Sequence, residues 1–184
     1  KPSIEWLNAE DYESNNVDTI KQLSEYDGII VPGGFGSRGV EGKINAITAC
    51  RTKNIPYLGL CYGLQMACIE FARNVCGLKD AHTTEINPKT AHPVIDILPE
   101  QKKLLAEKKY GATMRLGAYP ATLKTGSIAQ SAYAAGLKNV SRYKPHDTRI
   151  SERHRHRYEV NPSYIERLEK KGLVFSGYSR DRRL

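Results

Sequence analysis

The chain has 184 residues, 40% of them hydrophobic and 26% charged, with a formal net charge of +8. That is an ordinary globular composition, with enough chain for one domain around a sizeable core. No apolar run reaches membrane-spanning length and the opening "KPSIEWLNAEDYES" has no secretory pattern, so no membrane partner is expected.

Ser3 to Leu7 is expected as a strand and Val17 to Ser24 as a short helix or turn. A start at Lys1, inside an expected strand, points to a piece cut from something longer. "GIIV" (Gly28 to Val31) reads as a buried strand running into "PGGFGSRG", and Gly42 to Lys53 as a helix. Tyr57 to Leu60 reads as a second buried strand and Leu64 to Phe71 as an amphipathic helix. This βαβα rhythm with nearly continuous apolar strands predicts a parallel sheet covered on both faces.

Beyond Ala81 the rhythm breaks. "HTTEINPKTAHPVID" is polar and proline-punctuated and reads as loop. Pro99 to Lys108 reads as a helix, and "ATMRLGAYPATL" as a pair of antiparallel strands around Gly117. Ser127 to Tyr133 is expected as a short helix and Ala134 to Arg149 as a surface excursion. Pro162 opens a last helix, Gly172 stops it and a strand follows.

The four cysteines, Cys50, Cys61, Cys68 and Cys76, have no zinc-ligand spacing, so no metal is expected and a reducing, cytoplasmic setting fits them. Cys68 and Cys76 read as small buried residues. From Arg142 to Leu184, twelve Lys/Arg face six Asp/Glu, which places +6 of the +8 there. A nucleic-acid patch is one reading of that stretch, but no zinc finger, helix-turn-helix or aromatic RNA-binding motif accompanies it. A surface for small anions or another domain fits at least as well, and no nucleic acid is expected as a partner.

The chemistry concentrates in "YLGLCYGLQ". Cys61 stands at a strand-to-helix corner between Gly59 and Gly63, where glycine allows close approach of strand and helix. A thiol at a helix N-terminus is expected to favour thiolate, and the Tyr62 N–H points where an oxyanion would form. One strand away, "VPGGFGSRG" matches neither a dinucleotide fingerprint nor a Walker loop. It reads either as a phosphate-binding turn or as a loop overhanging Cys61, with Gly34 as a second oxyanion donor.

Taken together, "DGIIVPGGFGSRGVEGK", "NIPYLGLCYGLQMACIEFARNV", "TTEINP", "HPVIDILPEQ", "ATMRLGAYP" and "SERHRHRYEVNP" resemble the class I, Cys-His-Glu glutamine amidotransferase domain of the CTP synthases. The resemblance implies a three-layer α/β, flavodoxin-like domain over residues 1–184, with a mostly parallel central sheet. Its first strand and helix and the preceding synthase domain are absent from the sequence. Cys61 matches the nucleophile that turns the glutamine side-chain amide into a thioester and ammonia. Gly34 and Tyr62 match the oxyanion donors, and Gly34, Tyr62, Gly63, Leu64 and Gln65 line the glutamine. Glu85 matches the partner of its α-ammonium group and Arg157, followed by Tyr158, that of its α-carboxylate.

The family takes its base from a His-Pro-Glu motif, and this sequence has none. His92-Pro93 is followed by Val94, and His154 and His156 stand among arginines that disfavour a protonated imidazole. The 184 residues are therefore expected to turn over glutamine poorly. No cofactor is implied for this domain. ATP, Mg2+ and UTP belong to the synthase domain, GTP is the implied activator, and the implied assembly is a homotetramer. Ser37 replaces an aromatic residue often found in that loop. The remaining readings are another class I amidotransferase such as GMP synthase, against which "RHRHRYEVN" argues, and a regulatory domain that has lost its base. A serine hydrolase would need Gly-x-Ser-x-Gly, and the corner holds Cys.

Overall fold

The computed structural model describes residues 2–14, 16–97, 115–136 and 148–179. The chain divides into two compact units, Lys1–Asp96 and Ile97–Leu184.

In the first unit, Ser3 to Leu7 forms no strand. Ile4 and Trp6 point to solvent, 76% and 86% exposed, and the first regular element is a 3-10 turn at Ala9–Tyr12. The Asn8 side chain caps that turn by accepting the Glu10 N–H, which ends the extended run before it finds a partner strand. Helix α1 (Val17–Gln22) follows with Asn16 as its cap, then a second 3-10 turn at Leu23–Glu25. Tyr12, Leu23, Ala46 and Ala49 bury together, with Leu7, Ile20, Ile29 and Ile55 packed on them.

Strand β1 (Ile29–Val31), helix α2 (Val40–Lys53), strand β2 (Tyr57–Gly59) and helix α3 (Tyr62–Asn74) form the expected βαβα run. β1 and β2 pair in parallel, Ile29 opposite Tyr57 and Val31 opposite Gly59. Val31 is buried, whereas its neighbour Ile30 and the cross-strand Leu58 are 62% and 52% exposed. Alternate side chains leave this pair on opposite sides, and among the described residues Ile30 and Leu58 share the less covered one.

Where α2 meets α3, Glu70 is buried at 1% exposure. It accepts from Thr48 at 3.1 Å, from Arg51 at 2.8 Å and from Asn74 at 3.0 Å. Arg73 joins α3 to its neighbours, donating to Glu41 and to the Ala81 carbonyl at 2.7 Å.

"HTTEINPKTAHPVID", read as loop, contributes two parallel strands, β3 (Ala81–Thr83) and β4 (His92–Ile97). Ala81, Thr83, Val94 and Ile95 are fully buried. Thr84 Oγ1 donates to Asp96 at 2.7 Å and satisfies a polar pair that composition alone assigned to solvent. Tertiary burial overrides local propensity here.

The second unit is built on β5 (Arg115–Leu123) and β6 (Arg149–His156), antiparallel from Arg115–His156 to Thr122–Arg149. Helix α4 (Ile128–Gly136) lies between them in sequence, and β7 (Tyr158–Val160), α5 (Pro162–Glu169) and β8 (Gly177–Tyr178) follow. β8 pairs with the far end of β5. Gly117, read as the turn of a hairpin, sits inside the single strand β5 at φ +103. "SERHRHR", read as an Arg-rich loop, is mostly strand: Arg149, Arg153 and Arg155 leave one face for solvent and His154 and His156 leave the other. Asn161 caps α5 with Pro162 next to it, and Gly172 ends the segment at φ +101, as expected. The predicted helix at Pro99 to Lys108 lies outside the described residues, as do residues 137–147 of the excursion expected over Ala134 to Arg149, whose two ends belong to α4 and β6.

Arg115 and Glu159 pair at 3.2 Å with side chains 14% and 2% exposed. Arg115 also stacks 4.5 Å from the Tyr119 ring centroid. His156 completes the cluster, 3.7 Å from Glu159 and 5.1 Å from the His154 ring. Burial, and then the charges of His154 and Arg115, bring its imidazole down to about 4.

Two outcomes follow. Gly63→Ala pushes a methyl into the Val31 carbonyl oxygen and lowers unfolding stability by about 1–3 kcal/mol in urea, whereas Gly136→Ala, which meets nothing within 4 Å, does not. His156 binds its proton more weakly folded than unfolded, so stability is full above pH 6.5 and falls as pH drops toward 4. The loss amounts to about 3 kcal/mol at most. A His156→Gln variant shows a flatter urea-midpoint profile across that window, and an unchanged slope would contradict this assignment.

Candidate active site

Cys61 joins β2 to α3 at φ +53, ψ −101. A residue with a β-carbon avoids that left-handed conformation, at a cost of about 1–3 kcal/mol. The surroundings impose it. Leu60 N–H donates to Val31 O at 2.9 Å, Gly63 N–H to Leu60 O at 3.0 Å, and Gln65 N–H to Cys61 O at 3.2 Å. Tyr57 Oη donates to Gly63 O at 2.8 Å from below. A methyl on Gly59 would stand 2.6 Å from the Gly63 carbonyl carbon and 2.7 Å from Leu64 N, and one on Gly63 would strike Val31 O. All three obstacles are backbone atoms and cannot swing aside. Strand and helix thus meet too closely for any residue but glycine at 59 and 63, and the thiol between them is turned outward, exposed.

The thiol does not favour the thiolate as expected. Partial burial in the corner pushes it above its ordinary range, and the Glu85 carboxylate pushes the same way. The Tyr62 N–H, aimed at the sulfur, opposes them. Helix α3 therefore stabilises the anion through that amide, but desolvation is the larger effect. Thiolate formation at neutral pH consequently needs a proton acceptor.

The glycine-rich loop after β1 lies against this corner. A methyl on Gly33 would stand 3.6 Å from Cys61 Cβ, and one on Gly34 3.6 Å from Tyr62 Cδ1. Gly36, at φ +77, donates its N–H to Glu85 Oε1 at 3.2 Å and accepts the Tyr62 hydroxyl at 2.5 Å. On the outer side Arg38 forms a two-pronged pair with Glu10 at 2.8 and 2.7 Å, and Lys43 donates to the Arg38 and Gly39 carbonyls. Ser37 is exposed.

Cys61, Gly34, Tyr62, Gly63, Gln65 and Glu85 are thus all in the first unit. Tyr62 and Gln65 are buried at 2% and 7% exposure, Glu85 is half-buried, and Leu64 is 50% exposed. Gly63 has a packing role in the corner whatever it does for a ligand. Arg157 and Tyr158, both half-buried, lie in the second unit at the junction of β6 and β7, as do His154 and His156. Gly36 and the side chain of Tyr62 were missed by the sequence reading. The third glycine of "PGGFG" was the available signal for the first, and nothing local marks the second. Among the described residues no group of three His, Cys, Asp or Glu could hold a metal ion, and no helix is long and apolar enough to cross a membrane.

The glutamine amidotransferase class-I family model matches residues 4–184. The CTP synthase of Methanothrix thermoacetophila is 55% identical over 180 residues, which are 98% of this chain and 30% of that protein. The CTP synthase of Pyrococcus furiosus is 52% identical over 181 residues, with the same shares. This chain therefore spans about 30% of the length of these curated relatives. Among solved structures, the glutaminase domain of the Trypanosoma brucei CTP synthase with bound acivicin superposes with a TM-score of 0.82 at 40% identity. That match covers 96% of this chain and 62% of the other, and it extends to this protein the α/β fold of that domain. A family model that matches nearly the whole chain, with relatives alike in sequence and in fold, means that the chain belongs to the class I glutamine amidotransferase family, beside the glutaminase domains of CTP synthases.

Proposed function

We propose that this chain is the glutamine-hydrolysing part of a CTP synthase. Cys61 Sγ attacks the side-chain amide carbon of glutamine, and the N–H groups of Gly34 and Tyr62 hold the oxyanion that forms. Collapse breaks the C–N bond, ammonia leaves with a proton, and a γ-glutamyl thioester remains. Water then hydrolyses the thioester to glutamate and restores the thiol. The observation that carries this reading is Cys61 held at φ +53 on the end of a parallel strand, with the Tyr62 amide directed at its sulfur.

Gly34, Gly63, Leu64 and Gln65 line the glutamine in this reading. Glu85 receives its α-ammonium group and Arg157 its α-carboxylate, since a zwitterion calls for one fixed charge of each sign. The raised thiol needs an imidazole as proton acceptor, which the family draws from a His-Pro-Glu motif that these 184 residues do not contain. The ammonia serves a synthase domain that binds UTP, ATP and Mg2+, with GTP as activator and a homotetramer as the working assembly. No cofactor is assigned to the glutaminase part.

In the intact gene product, Cys61→Ala lowers glutamine-dependent CTP formation by at least about a thousandfold and leaves ammonia-dependent formation intact. Retention of glutamine use by that variant would sink the assignment. Glu85→Gln raises two readouts, one a gain of thiol reactivity and the other a loss of affinity. Removing the carboxylate that raises the Cys61 thiol speeds its alkylation by iodoacetamide at pH 8, while the KM for glutamine rises about tenfold or more. Alkylation no faster than in the wild type, or an unchanged KM, would remove Glu85 from this role.

A further inference from the structure

In the proposed reaction Tyr62 acts through its backbone amide, but its side chain does something separate. The ring turns away from α3 toward the glycine-rich loop, 2% exposed, and its hydroxyl donates to the Gly36 carbonyl at 2.5 Å. The phenol is pushed up to about 12, by burial first and then by Glu85, so it stays a donor throughout the neutral range. On its way the ring passes Gly34, where an added methyl would stand 3.6 Å from Cδ1.

The loop needs such a tie. Gly33, Gly34 and Gly36 supply three of four consecutive residues after Pro32, and glycine has the largest conformational freedom to lose. Near β1 the chain is held, because Val31 O accepts the Leu60 N–H and Gly33 rests on Cys61. At Gly36 no packing would resist a side chain, since one built there meets nothing within 4 Å. Hydrogen bonds hold that residue instead, on both sides of its Cα: Tyr62 grips its carbonyl and Glu85 its N–H. Gly34 lies between the two anchors, and two residues of chain reach at most about 7 Å. With Gly36 fixed, the Gly34 amide has little room to wander. Without the tie, two glycines and Phe35 regain their backbone dihedrals.

We propose that the Tyr62 hydroxyl is a positioning group for glutamine hydrolysis, which holds the Gly36 carbonyl and thereby keeps the Gly34 amide over Cys61. This rests on the reading of Gly34 as an oxyanion donor. The hydroxyl touches neither substrate nor reacting atoms. Its effect belongs to the step in which charge develops on the amide oxygen, so it shows in kcat more than in KM.

Tyr62→Phe removes the hydroxyl and keeps the ring, and the test uses the intact gene product. Three rates are compared with the wild type: glutamine hydrolysis, ammonia-dependent CTP formation, and alkylation of Cys61 by iodoacetamide, which needs no oxyanion donor. The expected result is a kcat for glutamine lower by about 10- to 100-fold, with KM, ammonia use and alkylation unchanged. A Phe variant with wild-type kcat overturns the proposal and leaves the glutaminase reading standing. A variant that also loses iodoacetamide reactivity or melts earlier shows a merely structural hydroxyl and overturns it too. Full glutamine use by Cys61→Ala would defeat the underlying reading, and the proposal falls with it.

Discussion

The contact of Gly59 with Gly63, backbone against backbone, is the constraint on which the site depends. It brings the start of α3 so close to β1 and β2 that the connecting residue must turn through a left-handed conformation, and Cys61 is that residue. The strain costs about 1–3 kcal/mol. The helix that imposes it buries Met66, Ile69 and Ala72 completely, and burial of one large apolar side chain contributes about 1.5–3 kcal/mol. Two such residues outweigh the strain, so the thiol is held outward by the packing of its own helix. The same closeness aims the Tyr62 amide at the sulfur.

Charge in the interior is organised in two different ways. Glu70 and Glu159 are almost wholly buried and each faces a guanidinium, Arg51 and Arg115, with neutral donors adding to the first pair. Such arrangements offset desolvation and tie elements together: α2 to α3 in one case, β5 to the β7 region in the other. Glu85 is half-buried, accepts a peptide N–H, and its charge reaches the Cys61 thiol and the Tyr62 phenol, raising both. A carboxylate that acts on the titration of its neighbours is placed to respond to a cation in the site. Structural and functional acids are thus separated by what faces them more than by where they stand in the sequence.

Much of this was legible beforehand, for reasons that differ by element. "GIIV" and "YLGL" are short apolar runs with a glycine or proline at each end, and α2 and α3 follow them without ambiguity. The corner could be located because glycines on both sides of a cysteine, at the end of an apolar run, mark a turn too tight for side chains. Strands β3, β4 and β6 were not legible. β3 holds Thr83 and His82, β4 has a proline at its second position, and β6 alternates arginine with histidine, so none resembles an apolar strand. Their register is set by partners far away in sequence. The charged alternation of β6 becomes intelligible only beside Tyr119 and Glu159, where His156 is half-buried and the arginines are exposed.

The sequence by itself determined which residue could be the nucleophile, which glycines surround it, and the family to which the whole pattern belongs. Those are matters of residue type at fixed short spacing, which local backbone geometry translates directly into structure. Only the tertiary structure decided the state of the thiol and the anchoring of the loop. The helix-terminus argument predicted an anion-favouring site, and burial with a nearby carboxylate reversed the balance. No local rule connects Tyr62 to Gly36 or Glu85 to the same residue, 26 and 49 positions apart. Desolvation and long-range hydrogen bonding depend on which surfaces the fold brings together, and that is set by packing across the whole unit.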